Sequence, residues 1–207
     1  MSNICCIFAG GPEEGMPCLP VPQGAFVLCA DSGLRLCERV GCTPDLVLGD
    51  FDSLHAVPTQ YPYLTAPVEK DDTDTMLACR YALAHGYQNI RIYGAFGGRL
   101  DHTFANIQTL VFLRSQGAEG ILIGTTDYAV VQGAGTKRYP KREGFTFSVF
   151  SLTPQTEGVT LRGTYYLLEN AVLTNNFSIG VSNRIMGEYA EVTCTSGLLL
   201  IIGSKEV

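Results

Sequence analysis

Five short apolar runs, at 4–9, 26–30, 46–48, 90–93 and 121–123, lie in the first part of the chain, and none of them has a polar face. A strand that is apolar at both parities is buried on both sides, which is how strands of a parallel sheet covered by helices read. The intervening segments supply those helices, with helical patterns over roughly 33–40, 74–85 and 101–115. Gly41 and Gly86 follow two of them and suit a left-handed helix stop. The alternation predicts an α/β class fold whose N-terminal part is a three-layer domain with a mostly parallel, Rossmann-like sheet.

After about Gly133 the pattern changes. Short alternating segments at 145–151, 159–162, 165–168, 178–182, 189–194 and 198–202 follow one another between turn-forming residues, with no helical period. They predict a C-terminal all-β sandwich. The polar stretch GTKRYPKREG reads as a linker at 135–144, separating an α/β domain at 1–134 from a sandwich domain at 145–207. With 46% hydrophobic residues in 207, the chain builds its cores without staples.

The eight cysteines include the adjacent Cys5 and Cys6, form no paired CxxC framework and fall mostly inside apolar runs. They read as reduced, buried small hydrophobes, consistent with a cytoplasmic protein. The opening MSNICCIFAGG has no basic region, and its apolar stretch is too short for a signal peptide or a membrane span, so no membrane partner is expected. A net charge of -6 argues against a nucleic-acid partner, which calls for clustered Lys and Arg. The basic group Lys137, Arg138, Lys141 and Arg142 reads as a solvated part of the linker rather than an anion site.

In an open parallel sheet, ligands collect beyond the carboxyl ends of the strands. Here those ends are acidic. The second strand runs into Asp31-Ser32-Gly33 and the third into Gly49-Asp50-Phe51-Asp52-Ser53. Lys70-Asp71-Asp72-Thr73-Asp74 precedes the second helix, and Gly97-Gly98-Arg99-Leu100-Asp101-His102 the third. On an extended backbone the carboxylates of Asp50 and Asp52 point to one side while Phe51 turns to the core. Two such carboxylates suit Mg²⁺, which takes one or two and completes its shell with water and substrate phosphates. The plainer alternative makes Asp50 a turn cap and Asp52 a helix cap, and Asp74 and Asp101 can cap helices as well. Four acidic sites brought to one rim would repel one another unless a cation held them, so their convergence predicts a cation.

The loop 94–99 offers backbone N–H groups without side-chain obstruction and then the planar fork of Arg99, a phosphate cradle at a helix N-terminus. GGRLDH matches neither the P-loop nor the dinucleotide glycine pattern. Lys70, beside the acidic run, is either a counter-charge or an ordinary surface lysine. His102 lies in a motif, whereas His55 and His85 are expected to face solvent. No His/Cys spacing fits zinc, and no GxSxG marks a hydrolase nucleophile.

The blocks ADSGLRLCERVGCTPDLVLGDFDSL, KDDTDTMLACRYAL and YGAFGGRLDHTFANIQTL resemble, in that order, the three motif blocks of the thiamine pyrophosphokinase family. FSLTPQTEGVTLRGTYYLLENAVL, GVSN and SGLLLII are similar to its second half, so the resemblance covers nearly the whole chain. It implies a homodimer that binds thiamine between the α/β domain of one subunit and the sandwich of the other. The implied reaction moves the β,γ-pyrophosphoryl group of ATP to the thiamine hydroxyl and releases AMP. By resemblance, Asp50, Asp52 and Asp74 hold Mg²⁺ and the phosphates, with Asp101 next to the reacting groups. Arg99 and Lys70 counter phosphate charge, Thr73 and His102 donate hydrogen bonds, and Asp31 and Gly98 belong to the ATP side. Ser182 and Asn183 line the thiamine pocket, with Leu200 in the closing strand.

The chain departs from the family at one place. Several members carry a tryptophan in the final strand, and Leu199 and Leu200 stand there in a chain without tryptophan. Tyr166, Phe177 or Tyr189 are the candidates to replace its aromatic face. Two other readings of the scaffold are a non-catalytic sensor of Mg-nucleotide or thiamine diphosphate, and a metal-dependent phosphohydrolase. The presence of every acidic motif weighs against the first, and a complete second β domain for an acceptor against the second. The paired-carboxylate reading predicts that Asp50→Asn and Asp52→Asn each abolish turnover while circular dichroism shows an intact fold; near-normal activity in both would refute it.

Overall fold

A computed structural model describes residues 3–12, 15–66 and 72–206, and its chain divides into two units, Met1–Thr125 and Thr126–Val207. In the first, the apolar runs become β1 (Ile4–Phe8), β2 (Phe26–Ala30), β3 (Leu46–Gly49), β5 (Asn89–Tyr93) and β6 (Glu119–Ile123), joined by the short exposed β4 (Tyr63–Thr65). Between them stand α1 (Gly33–Arg39), α2 (Asp74–Ala84) and α3 (Leu100–Ser115). The strands run in the order β4-β3-β2-β1-β5-β6, every neighbouring pair parallel. β1 sits centrally and is buried to completion from Cys5 to Phe8, which is why its sequence shows no polar face. Gly41 and Gly86 take φ of 76° and 83°, the left-handed stops their positions call for.

The second unit contains β7 (Asp127–Gln132), β8 (Gly135–Pro140), β9 (Phe145–Ser151), β10 (Gln155–Arg162), β11 (Leu168–Thr174), β12 (Tyr189–Cys194) and β13 (Leu199–Lys205). β13 pairs antiparallel with both β7 and β9, while β11-β10-β12-β8 form a four-stranded antiparallel sheet. Phe147 and Val149 of β9 and Ile201 of β13 share one core with Leu161, Leu173 and Val192 of that sheet. This is the expected sandwich. Each such side chain, fully buried, contributes roughly 1.5–3 kcal/mol.

Three expectations about this half are corrected. The supposed linker begins with β8, which pairs in full register with β12 from Gly135↔Cys194 to Pro140↔Tyr189. It reads as polar because it is an edge strand with a solvent-facing side, and Pro140 is tolerated at its end. The division therefore falls ahead of it, since the apolar β7 belongs to the second unit. Residues 165–167 lie outside any strand, the strand starting only at Leu168, and so do 178–182, which turn at 179–182. There Gly180 presses against the backbone of β9, with Val149 N–H donating to its carbonyl at 2.9 Å, and Ser182 takes φ 56°, so no ladder continues.

All eight cysteines are free thiols, six of them buried, and burial pushes the Cys6 thiol up to about 11. Among the described residues no helix is long and apolar enough to cross a membrane. Leu161→Ala, which opens a cavity in the sandwich core, is expected to cost 2–5 kcal/mol, roughly, in urea unfolding followed by circular dichroism; a cost below ~1 kcal/mol would contradict the packing described.

Candidate active site

The chain enters the first sheet at β1, grows outward to β4 and then returns to place β5 on the other side of β1. Beyond the carboxyl ends of β1 and β5, where that order reverses, lies a cleft of about 790 Å³. Such a switch point is where open α/β sheets bind ligands, and this volume is that of a small-molecule site. Gly10 and Gly11 line it after β1, Asp31 and Ser32 after β2, and Gly94, Gly97 and Gly98 after β5. Asp72, Thr73 and Asp74 line it from the start of α2, and Arg99, His102 and Asn106 from α3.

Of the residues marked in the sequence, Asp31, Thr73, Asp74, Gly98, Arg99 and His102 thus meet at one cleft. Asp50, Asp52 and Asp101 do not line it, although the neighbouring Ser53 does. Lys70, with Asp71, lies outside the described residues. The paired-strand expectation for Asp50 and Asp52 is corrected, because Phe51 takes φ 65° and the backbone turns rather than extending. Phe51 is buried, as expected, and meets the Tyr63 ring edge-on at 6.0 Å. Asp50 Oδ1 accepts the Asp52 N–H at 3.2 Å, which makes it the turn cap of the plainer alternative. Arg35 on α1 donates to the Ser53 carbonyl at 3.0 Å and ties this acidic loop to the helix.

Capping of α2 falls to Thr73, whose Oγ1 accepts the Met76 N–H at 3.1 Å, so Asp74 is the first helical residue and not the cap. The Thr73 hydroxyl oxygen is an acceptor here. Asp72, absent from the sequence-derived set, faces the cleft while holding Arg80 through Nε at 2.7 Å. Its neighbour Thr75 and, on α3, Asn106 were also missed. Asn106 donates to the Ala95 carbonyl at 2.9 Å and so fixes the glycine loop. The signal was a buried amide on the inward side of a helix whose other inward residues are Thr109, Leu110 and Leu113.

α3 begins at Leu100, one residue before its expected start, and places Asp101 in the first turn instead of at the cap. The Asp101 carboxylate accepts Arg99 Nε at 3.1 Å, Arg99 Nη2 at 2.6 Å and the His102 N–H at 2.9 Å. The Arg99 fork holds the Asp101 carboxyl below the usual carboxylate range, and Asp101 in turn raises Arg99. A phosphate in the cradle therefore competes with Asp101 for Arg99. Gly97 and Gly98, at φ 86° and 67°, keep the loop free of side chains on that approach.

Asp31 differs from the other carboxylates. It is 5% exposed, has φ 46°, and among the described residues its Oδ1 has no hydrogen-bond partner. Among those residues no three His, Cys, Asp or Glu side chains form a metal cluster. Mg²⁺ needs fewer, and an all-oxygen set with one unsatisfied buried carboxylate oxygen fits its chemistry.

In the second unit, Asn183 is 3% exposed and commits its amide to the loop opposite. Its Oδ1 accepts the Tyr166 and Arg184 N–H groups at 2.9 and 2.8 Å, and Nδ2 donates to the Tyr166 carbonyl at 2.7 Å. Ser182 donates its N–H to Ser148 Oγ at 3.0 Å. Leu200 is buried in β13, whereas the candidate aromatics Tyr166, Phe177 and Tyr189 are exposed, as is Tyr165. The Tyr189 ring already carries the Arg138 guanidinium at 4.7 Å.

Two family models match the chain: the catalytic domain of thiamin pyrophosphokinase over residues 21–122 and its vitamin B1 binding domain over 137–199. A crystal structure of a thiamin pyrophosphokinase family protein from Enterococcus faecalis is 30% identical, with all of both chains covered and a TM-score of 0.86. The chain belongs to the thiamin pyrophosphokinase family. The thiamine pyrophosphokinase of Bacillus subtilis (strain 168) is 28% identical over 214 residues, covering 97% of this chain and 98% of that one. A crystal structure of the enzyme from Bacillus subtilis superposes with a TM-score of 0.88 over 99% of this chain and 100% of that chain, at 25% identity. The match to the catalytic-domain model spans the acidic rim and the glycine loop.

Because the folded-state pKa of Asp101 is depressed, the stability its pairing adds is present above the unfolded value of about 3.9 and lost as pH falls through the folded one. Carboxyl ¹³C titration is expected to place Asp101 below that value, and Arg99→Ala to move it back up. An Asp101 titration unchanged by Arg99→Ala would contradict the pairing.

Proposed function

We propose that this chain transfers the β,γ-pyrophosphoryl group of ATP to the hydroxyl of thiamine, giving thiamine diphosphate and AMP, with Mg²⁺ as the working cation. The observation that carries the reading is the cleft at the switch point, glycine-lined on one side and carboxylate-lined on the other, in a chain matching both the catalytic and the vitamin B1 binding domain models.

In the reaction the thiamine hydroxyl oxygen forms a bond to the β-phosphorus, and the bond from that phosphorus to the oxygen bridging to the α-phosphorus breaks. AMP leaves with that oxygen. Transfer of this kind depends on positioning and charge stabilisation more than on a protein nucleophile. The N–H groups of the 94–98 loop and the start of α3 receive phosphate oxygens, and Asn106 keeps that loop in place. Arg99 moves from Asp101 to the transferred group. Asp101, freed when Arg99 moves, or Asp74, in the cleft wall, takes the hydroxyl proton. Asp50, Asp52 and Asp74 would hold Mg²⁺, which when bound neutralises and orients the phosphate oxygens.

The acceptor site falls to the second unit, as its match to the vitamin B1 binding model supports. Tyr165, Tyr166, Leu167, Phe177, Ile179 and Val181 are all exposed there, apolar side chains of the kind that mark interaction surfaces. That surface supports a homodimer with thiamine at the subunit interface.

Purified protein incubated with ATP, Mg²⁺ and thiamine is expected to form AMP and thiamine diphosphate in equal amounts, lost with EDTA or without thiamine. ADP as product would mean single phosphoryl transfer; phosphate release without thiamine, a hydrolase; and binding without turnover, a sensor.

A further inference from the structure

Asp31 lines the cleft with a buried carboxylate oxygen, Oδ1, that has no hydrogen-bond partner among the described residues. The parallel register sets Ala30 beside Leu48, so Asp31, the next residue, lies level with Gly49 and one residue from Asp50. Its N–H donates to the Leu48 carbonyl at 2.8 Å, which anchors its backbone. A Cβ on Gly49 would stand 3.0 Å from the Asp31 Cβ, so this approach to the acidic loop requires glycine there. The side chain is thereby held in the cleft wall, 5% exposed, with Oδ1 bonded to nothing among the described residues.

A carboxylate oxygen so buried, without a partner among the described residues, is unfavourable until something positive or a hydrogen-bond donor reaches it. Phosphate oxygens are the wrong sign, so Asp31 cannot serve a nucleotide by touching its phosphates. Oxygen donors line the same cleft, with Ser32 next in sequence and Asp72 and Asp74 at the start of α2. Oxygen donors of this kind select a hard divalent cation over zinc or copper. The geometry points to Asp31 as the innermost ligand of the divalent cation, the group that seats the metal before the nucleotide completes its shell. The assignment rests on the metal-dependent reading of the cleft but goes beyond it, because it makes a buried carboxylate outside GDFDS and DDTD the residue that binds the free ion. It also assigns the apo protein a penalty that the ion relieves.

Asp31→Asn tests it, because asparagine keeps the shape and accepts φ near 46° while removing the charge. Mn²⁺ titration by electron paramagnetic resonance, without nucleotide and then with α,β-methylene-ATP, is expected to show at least tenfold weaker binding in the variant. Thermal melts carry a sign that a merely structural role would not produce. Without metal the variant melts at or above the wild type, and Mn²⁺ raises the midpoint of the wild type but not of the variant. In the wild type, Mn²⁺ is expected to broaden the Asp31 carboxyl ¹³C resonance ahead of that of Asp72, a measurement that needs no substitution. Binding in Asp31→Asn within tenfold of wild type, or broadening of Asp72 first, overturns the role of Asp31 and leaves the metal reading standing. Absence of Mn²⁺ binding to the wild type in both titrations overturns the two together.

Discussion

The parallel pairing of β1 with β2 on one side and β5 on the other governs the first unit. Because those strands run together, the chain segments leaving them emerge at one end, and because the order reverses at β1, they emerge diverging. The space between has to be closed by backbone rather than by side chains. A Cβ on Gly33 would collide with the Phe8 carbonyl, and one on Gly11 with the Gly94 carbonyl, so glycine at these positions lets three loops converge. The amide-lined floor of the cleft follows from that convergence.

Charge is the second constraint. Three carboxylates at or near the cleft have local work: Asp50 caps its own turn, Asp72 holds Arg80, and Asp101 holds Arg99. Those contacts offset part of the local charge, and under the proposed function they would be exchanged for a polyphosphate and its cation. Arg99 illustrates the exchange, since the same planar fork suits a carboxylate and a phosphate equally. Asp31 stands apart because it is buried and its Oδ1 has no hydrogen-bond partner among the described residues.

The parallel sheet was legible because buried strands leave continuous apolar runs, and α1 and α2 because glycine stops, Gly41 and Gly86, bound their periods. The acidic motifs were legible as chemistry, but their local geometry was not. A left-handed Phe51 between Asp50 and Asp52 leaves no trace in composition, since a buried aromatic there reads equally well as an extended residue. Capping by Thr73 rather than Asp74 turns on a shift of one residue that propensity does not resolve. In the sandwich, β8 was hidden by its own polarity as an edge strand. Asn183 was marked through resemblance as a ligand-side residue, yet all three of its amide contacts serve the backbone of its own unit, a use of asparagine that only tertiary structure reveals.

The central claim is that the cleft at the β1–β5 switch point binds a nucleotide polyphosphate and its cation against Asp31. A crystal structure with Mn²⁺ and α,β-methylene-ATP, with anomalous scattering used to locate the metal, tests it most directly. The account predicts a manganese peak against the Asp31 carboxylate and phosphate density over the 94–98 loop. A nucleotide bound away from that loop, or a metal held only by residues outside the cleft, would contradict it.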